Sequence, residues 1–578
     1  MVRREFQITV AMGGMLWLSG CAVTHRAAPP AAKPAPSPSA AKPAPVTASN
    51  AHEKDPVYWV LVGEMAAQRS DADLAVRAYL KASRLSSDPA VARRAVGIAL
   101  SEGSDQDALE AAERWAALAP DKDEALRVLG VMYLRTGHMD EARRTITQAI
   151  EKDSGGVGNG FLDIRPLLLG EVSDEPKVLD IIDGLRHKHA SVPEAQYTYA
   201  SLALAAGKVD AALAAVKRAL KLAPGWAEAQ SLYAHVLLQH GDTDKALDVM
   251  LDAVHENPDD QSLRVSYGKM LLQAGRTGEA KGVFRRLLKR HPHSADALYA
   301  LGLISMQQGN YKESRHYFMR TLQVPGHRQD ALYQLGELAR RQGKDREALN
   351  WFLQVQGGAH VYGAQIGIAR ALADMGQMQA ARDHLEQLRK QNPGLAVQLY
   401  LVEGELLISH RDYQQAYQLY GKALSAQPHD LDLLYARALA AEHVDKVDQA
   451  EQDLREILKQ RPKDAAALNA LGYTLANRTH RYQEAYKYIS EAYKLSPDNP
   501  AVIDSMGWVY FRMGDYKKAE KYLRRAHRLT SDPEVAAHLG QLLWVTGRKA
   551  QARKVWQTAH RANPENRALK QTMERFLR

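Results

Sequence analysis

The sequence predicts an all-α solenoid, in which one helix-turn-helix unit is copied along most of the chain. Three observations predict it. Small residues return at fixed offsets: Gly or Ala, Gly seven later, Ala five after that, a large residue four on, a small one three on, then Pro. Ala200, Gly207, Ala212, Val216, Ala219 and Pro224 follow this order, as do Gly268, Gly275, Ala280, Phe284, Leu287 and Pro292. The step between copies is constant, since Gly207, Gly241 and Gly275 are each 34 residues apart. Finally, the 578 residues include 39 Gly and 24 Pro, close to average usage, which excludes a collagen-like or wholly disordered chain. At about 100–200 residues per domain the length suits several ordinary domains; a repeat array replaces them.

Each element of the unit has a physical reason. Two antiparallel helices approach closely only where Gly or Ala removes a side chain, so the first small residue and the later Ala mark the seam. The mid-repeat glycine (Gly137, Gly207, Gly241, Gly275, Gly309, Gly343, Gly376, Gly514, Gly547) supplies the turn after the first helix. Proline ends one unit and begins the next. The pattern, repeated in Gly540, Gly547, Ala552, Trp556, Ala559 and Pro564, is identified as the tetratricopeptide repeat, for which a period of 34 is diagnostic. Units start near 56, 90, 123, 193, 227, 261, 295, 329, 362, 397, 431, 465, 500 and 533. The expected organisation is N-terminal repeats over 56–150, a divergent segment over 151–192, and the main array over 193–564. A helix over 565–578 closes the exposed end. Within the divergent segment, Gly155 to Gly160 reads as a flexible loop ahead of a degenerate helical pair. Asn477 to Tyr482 adds one residue to its repeat.

The single cysteine excludes an intramolecular disulfide framework, thiolate zinc sites and CxxC redox chemistry. It is Cys21, and it closes a short apolar stretch. Arg3 and Arg4 precede Ile8 to Leu18, a run too short to span a bilayer. Leu18-Ser19-Gly20-Cys21 resembles the bacterial lipobox, which implies a signal peptide over 1–20 and acylation of Cys21. Ala22 stands where an aspartate would signal inner-membrane retention, so the expected location is the outer membrane, facing the periplasm. Residues 21–55 form a Pro/Ala-rich tether with Pro29, Pro30, Pro34, Pro36, Pro38, Pro43 and Pro45, stiffened toward polyproline II.

Charge says little: 76 basic against 67 acidic residues give +9, a mild bias at this length. Mean hydropathy is −0.40. No HExxH, GxSxG or GxxxxGK[ST] motif is present. His187/His189 and His291/His293 have no third ligand nearby in sequence. The expectation is a chain that is no enzyme, with neither cofactor nor metal. Its basic runs, Phe284 to Arg290 and Lys517 to Arg525, fall on second helices and read as solvated surface.

A solenoid presents its first helices to a partner. In the last three repeats those helices carry Asn469 and Tyr473, then Asp504, Trp508 and Arg512, then His538, Gln541 and Trp544. Residues 504, 508 and 512 stack on one face. Aromatic residues flanked by hydrogen-bonding groups make a candidate partner-binding groove; packing between repeats is the competing role for Trp508 and Trp544.

The segments Leu468-Asn469-Ala470-Leu471-Gly472-Tyr473, Asp504-Ser505-Met506-Gly507-Trp508-Val509-Tyr510 and Ala537 to Trp544 resemble a family of proteobacterial repeat lipoproteins. That family shares the lipobox, the tether and a long array. It includes the outer-membrane lipoprotein adaptor of a periplasmic carboxyl-terminal processing protease. The resemblance implies a scaffold that binds the protease and presents cell-wall hydrolases to it, with no nucleic acid as partner. The alternative is an assembly factor for an envelope machine, in exopolysaccharide export or at a type IV pilus secretin.

Overall fold

The computed structural model describes residues 53–69, 71–171, 177–564 and 566–577. The expected signal peptide, Cys21 and the expected tether up to residue 52 lie outside the described residues. Those described form 31 α-helices, arranged as successive antiparallel pairs, and no strand occurs among them. None of these helices is long and apolar enough to cross a membrane. The chain falls into two compact units, one ending at Arg328 and the other beginning at Gln329.

Local chemistry starts several of the helices. Asp464 accepts hydrogen bonds from the amides of Ala466 (3.0 Å) and Ala467 (2.9 Å). Asn499 and Asp532 cap the next two first helices in the same way, each ahead of a proline in the first helical turn, where a missing N–H costs nothing. The turn between paired helices is left-handed, with φ of 83° at Gly514. At Arg411 (φ 66°) and Asp445 (φ 62°) the corresponding turn is made without glycine, against the usual steric preference.

The small residue of each first helix seats the large residue of its partner. A Cβ at Gly268 would stand 2.5 Å from Phe284 Cζ, and one at Gly507 would stand 2.6 Å from Leu523 Cγ. Phe352 lies between two such glycines, Gly336 and Gly367. Glycine inside a helix costs about 1 kcal/mol. Complete burial of an aromatic ring returns about 3 kcal/mol, so the exchange favours close approach.

The segment 151–192 departs from the expected loop. Gly155 and Gly156 make a turn, but the helix Val157–Glu171 already includes Gly158 and Gly160. The reason is steric: a Cβ at Gly160 would meet the Ile150 backbone. Its glycine serves helix–helix contact, not flexibility. A second helix, Lys177–Lys188, completes the pair. At the other end, the helix Arg567–Leu577 folds back on the last repeat, where Phe576 packs against Trp556 at 5.7 Å between ring centroids.

Two second helices are shorter than their neighbours, which the repeat pattern does not predict. Tyr311–Thr321 and Asp345–Phe352 span 11 and 8 residues. Each is followed by a loop with a left-handed glycine, Gly326 or Gly358, which returns a histidine onto the preceding first helix. His327 stacks on Tyr299 at 4.8 Å and His360 on Tyr333 at 4.5 Å.

Candidate functional site

The helices Ala465–Arg478, Pro500–Arg512 and Pro533–Val545 bring most of the candidate residues together within the second unit. Asn469 and Tyr473 lie one turn apart on the first, Asp504 and Trp508 one turn apart on the second. Tyr473 OH donates to Glu534 Oε1 at 2.5 Å, across a separation of 61 residues. It also lies 3.5 Å from His538 Nε2. His538 Nδ1 sits 2.8 Å from Asp504 Oδ2. The imidazole stacks on Trp508 with centroids 4.0 Å apart and planes 21° from parallel. Trp508 in turn stacks on Phe511 at 5.1 Å. The cluster is therefore a ladder of rings and charges that crosses three repeats.

All five of Asn469, Tyr473, Asp504, Trp508 and His538 are buried. Burial sets their electrostatics. It works against protonation of His538, but the Asp504 carboxylate and its hydrogen bond hold the His538 pKa above its ordinary value. Burial, then the charges of Glu534 and Glu442, push the Tyr473 hydroxyl well up, so it stays a donor. Burial also raises Glu442. Three atoms of the cluster lack a hydrogen-bond partner among the described residues: Asn469 Oδ1, Asp504 Oδ1 and Trp508 Nε1.

The other three candidates behave differently. Arg512 is committed to its own repeat boundary, donating to Asn477 O at 3.2 Å and Tyr482 OH at 2.9 Å. Its guanidinium lies 5.9 Å from the Trp508 ring, at the edge of the cluster. Gln541 is half-buried, with no hydrogen bond to the cluster among the described residues. For Trp544 the structure shows the packing role, the alternative to the groove. It packs toward the end of the array, on Trp556 at 5.8 Å and Phe576 at 6.1 Å, with Lys549 and Arg553 over its ring. Closing the last repeat, not lining a shared face with Trp508, explains its size.

Sequence reasoning missed Glu442 and Glu534. Glu534 is the second residue of its helix, just after the Asp532-Pro533 start signal, where an acidic residue is expected merely to favour the helix dipole. Only the three-dimensional return of that helix toward Tyr473 gives it a second role.

Nothing here has the geometry of a metal centre: no group of three or more His, Cys, Asp or Glu side chains among the described residues is placed to hold one. His187 is exposed beside Asp183, and His189 lies 2.9 Å from Glu151.

Comparison with known proteins agrees with the fold. The "Tetratricopeptide repeat" family models match residues 86–157, 203–265, 268–326, 306–359 and 366–430, and the "Psidin, N-terminal TPR repeats region" model matches 406–536. A TPR repeat-containing protein of Pseudomonas aeruginosa is 38% identical over 532 residues, covering 91% of this chain and 89% of that protein. A small glutamine-rich tetratricopeptide repeat-containing protein of Mycosarcoma maydis is 32% identical over 97 residues, 17% of this chain and 27% of its own length. Among solved structures, the APC/C hetero-tetramer Cut9-Hcn1 aligns at 13% identity over 91% of this chain and 97% of that one, with a TM-score of 0.33. The type IV pilus biogenesis factor PilW aligns at 22% identity over 35% and 94%, with a TM-score of 0.30. With paired helices throughout the described residues and a bacterial relative matched over 89% of its length, the chain belongs to the TPR repeat-containing protein family.

Proposed function

We propose that this protein is a non-catalytic scaffold that binds other proteins through its repeat array, tethered by an acylated Cys21 to the periplasmic face of the outer membrane. The observation that carries the protein-binding reading is the ring-and-charge ladder of Asn469, Tyr473, Asp504, Trp508 and His538, which spans the first helices of three consecutive repeats and leaves polar atoms of Asn469, Asp504 and Trp508 unpartnered. Buried polar atoms left unpaired cost about 1–3 kcal/mol each, and a bound chain is one way to satisfy them. The finer reading is an adaptor that activates a carboxyl-terminal processing protease and presents cell-wall hydrolases for degradation. Holding enzyme and substrate on one array makes their encounter nearly intramolecular, which raises turnover without any chemistry from the scaffold.

Two measurements test this reading. Metabolic labelling with a fatty-acid analogue should mark the wild-type protein and leave Cys21→Ser unmarked; equal labelling removes the anchor. Crosslinked purification from envelopes should recover a soluble protease with its hydrolase substrates. Recovery of an outer-membrane pore instead would favour an assembly factor for an export or pilus machine.

A further inference from the structure

We propose that the second helices of the last three repeats, Tyr482–Leu495, Tyr516–Leu529 and Lys549–Ala562, form a face that binds the surface of a membrane containing anionic lipid. This is a different side of the repeats from the ladder above, and its binding does not depend on acylation of Cys21.

The chain's positive charge is concentrated here. Residues 516–578 hold 15 Lys and Arg against 5 Asp and Glu, whereas residues 1–515 hold 61 against 62. Within the face the cations are ordered. Ala485, Ala519 and Ala552 are the fully buried seam residues of the three helices. Two residues on stand Lys487, Lys521 and Lys554, and nine on stand Lys494, Arg528 and Arg561. All six are exposed. At 3.6 residues per turn, a residue two places after a buried one points to the opposite side of the helix, and the two rows lie about 10 Å apart along it. Tyr493 packs on Tyr522 at 5.6 Å between centroids, and Arg548 pairs with Glu520 at 2.5 Å. These contacts hold the three helices in register.

The first row has no structural cause of its own. A cation in the last turn favours the helix dipole, and Lys221 and Lys289 hold that place in the first unit, so the second row alone would mean little. At the position of Lys487, Lys521 and Lys554, however, three repeats of the first unit carry Ala214, Asp248 and Gly282. Nor do neighbouring acids neutralise the rows. Glu484 pairs with Arg455 and Arg481, Asp498 with Arg525, and Glu520 with Arg524 and Arg548. Glu491, which is exposed, is the remaining acid of the three helices.

Two leucines select a membrane among anionic partners. Leu495 and Leu529 directly follow cations of the second row and are 44% and 52% exposed. On a bilayer, each can enter the acyl boundary while the long side chain beside it stays among headgroup phosphates. A nucleic-acid backbone offers them no such apolar layer. Protein interfaces are depleted of lysine, and the first row is lysine throughout. Each such cation near an anionic bilayer raises partition by about fivefold.

The test is flotation of the full chain carrying Cys21→Ser, which removes acylation. The vesicles are phosphatidylcholine alone, or an equimolar mixture of phosphatidylcholine and phosphatidylglycerol. Neutral vesicles set the baseline for the apolar stretch Ile8 to Leu18. Anionic vesicles should take up more of the chain, and the gain should fall as salt is raised. Lys487→Gln with Lys521→Gln and Lys554→Gln should cut partition onto anionic vesicles by about tenfold or more. Lys217→Gln with Lys221→Gln and Lys245→Gln, at exposed lysines of the first unit, should leave it unchanged. Leu495→Ser with Leu529→Ser should cut it by about fivefold, and soluble polyglutamate should compete poorly with the vesicles. Circular dichroism checks that every variant keeps its helices. Equal uptake by the two kinds of vesicle, equal losses in the two lysine triples, or wild-type partition in the leucine pair would each overturn the proposal. Tight binding of polyglutamate that displaces the vesicles would also overturn it, and would assign the face to an acidic protein.

Discussion

Lys269 and Trp508 hold equivalent places in two repeats, each directly after the glycine that seats the large residue of the second helix. Their surroundings differ completely. In the first unit, Lys269 Nζ reaches Asp296 Oδ1 at 2.8 Å, with the side chains 48% and 37% exposed, and His327 joins the same carboxylate at 3.5 Å. In the second unit, Trp508 is 6% exposed and stacked on His538. The seam behind each residue is the same: a glycine under a large side chain. The face in front is an exposed ion pair in one and a buried ladder in the other. A repeat scaffold thus separates the residues that hold it together from those free to specialise.

Several substitutions can break or sharpen that contrast. Because an array opens unit by unit, each effect is best read by local amide hydrogen exchange together with chemical denaturation. Trp556→Ala should cost the last repeat about 4 kcal/mol, since Trp556 is fully buried and supports Trp544 and Phe576. Retention of slow exchange in Pro533–Val545 would contradict this. Gly268→Ala and Gly507→Ala should each cost about 2 kcal/mol by overpacking. The contrast predicts similar losses in the two units, because the seam is shared; a large inequality would break it.

Tyr473→Phe removes the donor to Glu534 and should cost about 1–2 kcal/mol, felt in all three helices the ladder joins. Glu313 gives a pH signature in the first unit. Lys281, then Arg285 and Ser305, hold its pKa down at about 2 against the cost of burial. Its carboxylate is therefore charged in the folded state well below its unfolded pKa near 4.3. That contribution is fully present above about pH 4.5 and is lost as pH falls toward 2; Glu313→Gln should flatten this part of the stability curve. Lys269→Ala should matter least, below about 0.5 kcal/mol, because exposed ion pairs are screened.

The repeat architecture was legible because its causes are local. A left-handed turn at Gly514 and a small residue under Phe284 both follow from spacing along one pair of helices. The candidate face was legible in part. Tyr473, Asp504, Trp508 and His538 stood out by residue type, and the structure brings them together. Contacts reaching across repeats were not legible. Tyr473 meets Glu534 two repeats away, an outcome set by the rotation between units, which a 34-residue period does not encode. Trp544 stays open between groove and packing in the sequence for the same reason: whether it faces Trp508 or Trp556 depends on how the terminal helix folds back. The glycines at 158 and 160 looked like a loop because composition alone cannot distinguish freedom from close packing.

The central claim, that the array is a protein-binding scaffold whose last three repeats carry a recognition face, is tested most directly by protease turnover. A periplasmic carboxyl-terminal processing protease would be assayed on a cell-wall hydrolase substrate with wild-type chain, with Lys269→Ala, and with the Asp504→Asn, His538→Gln pair, which alters the ladder. The account predicts acceleration by the first two and a marked loss with the third. No acceleration by the wild-type chain, or equal acceleration by all three, would contradict it.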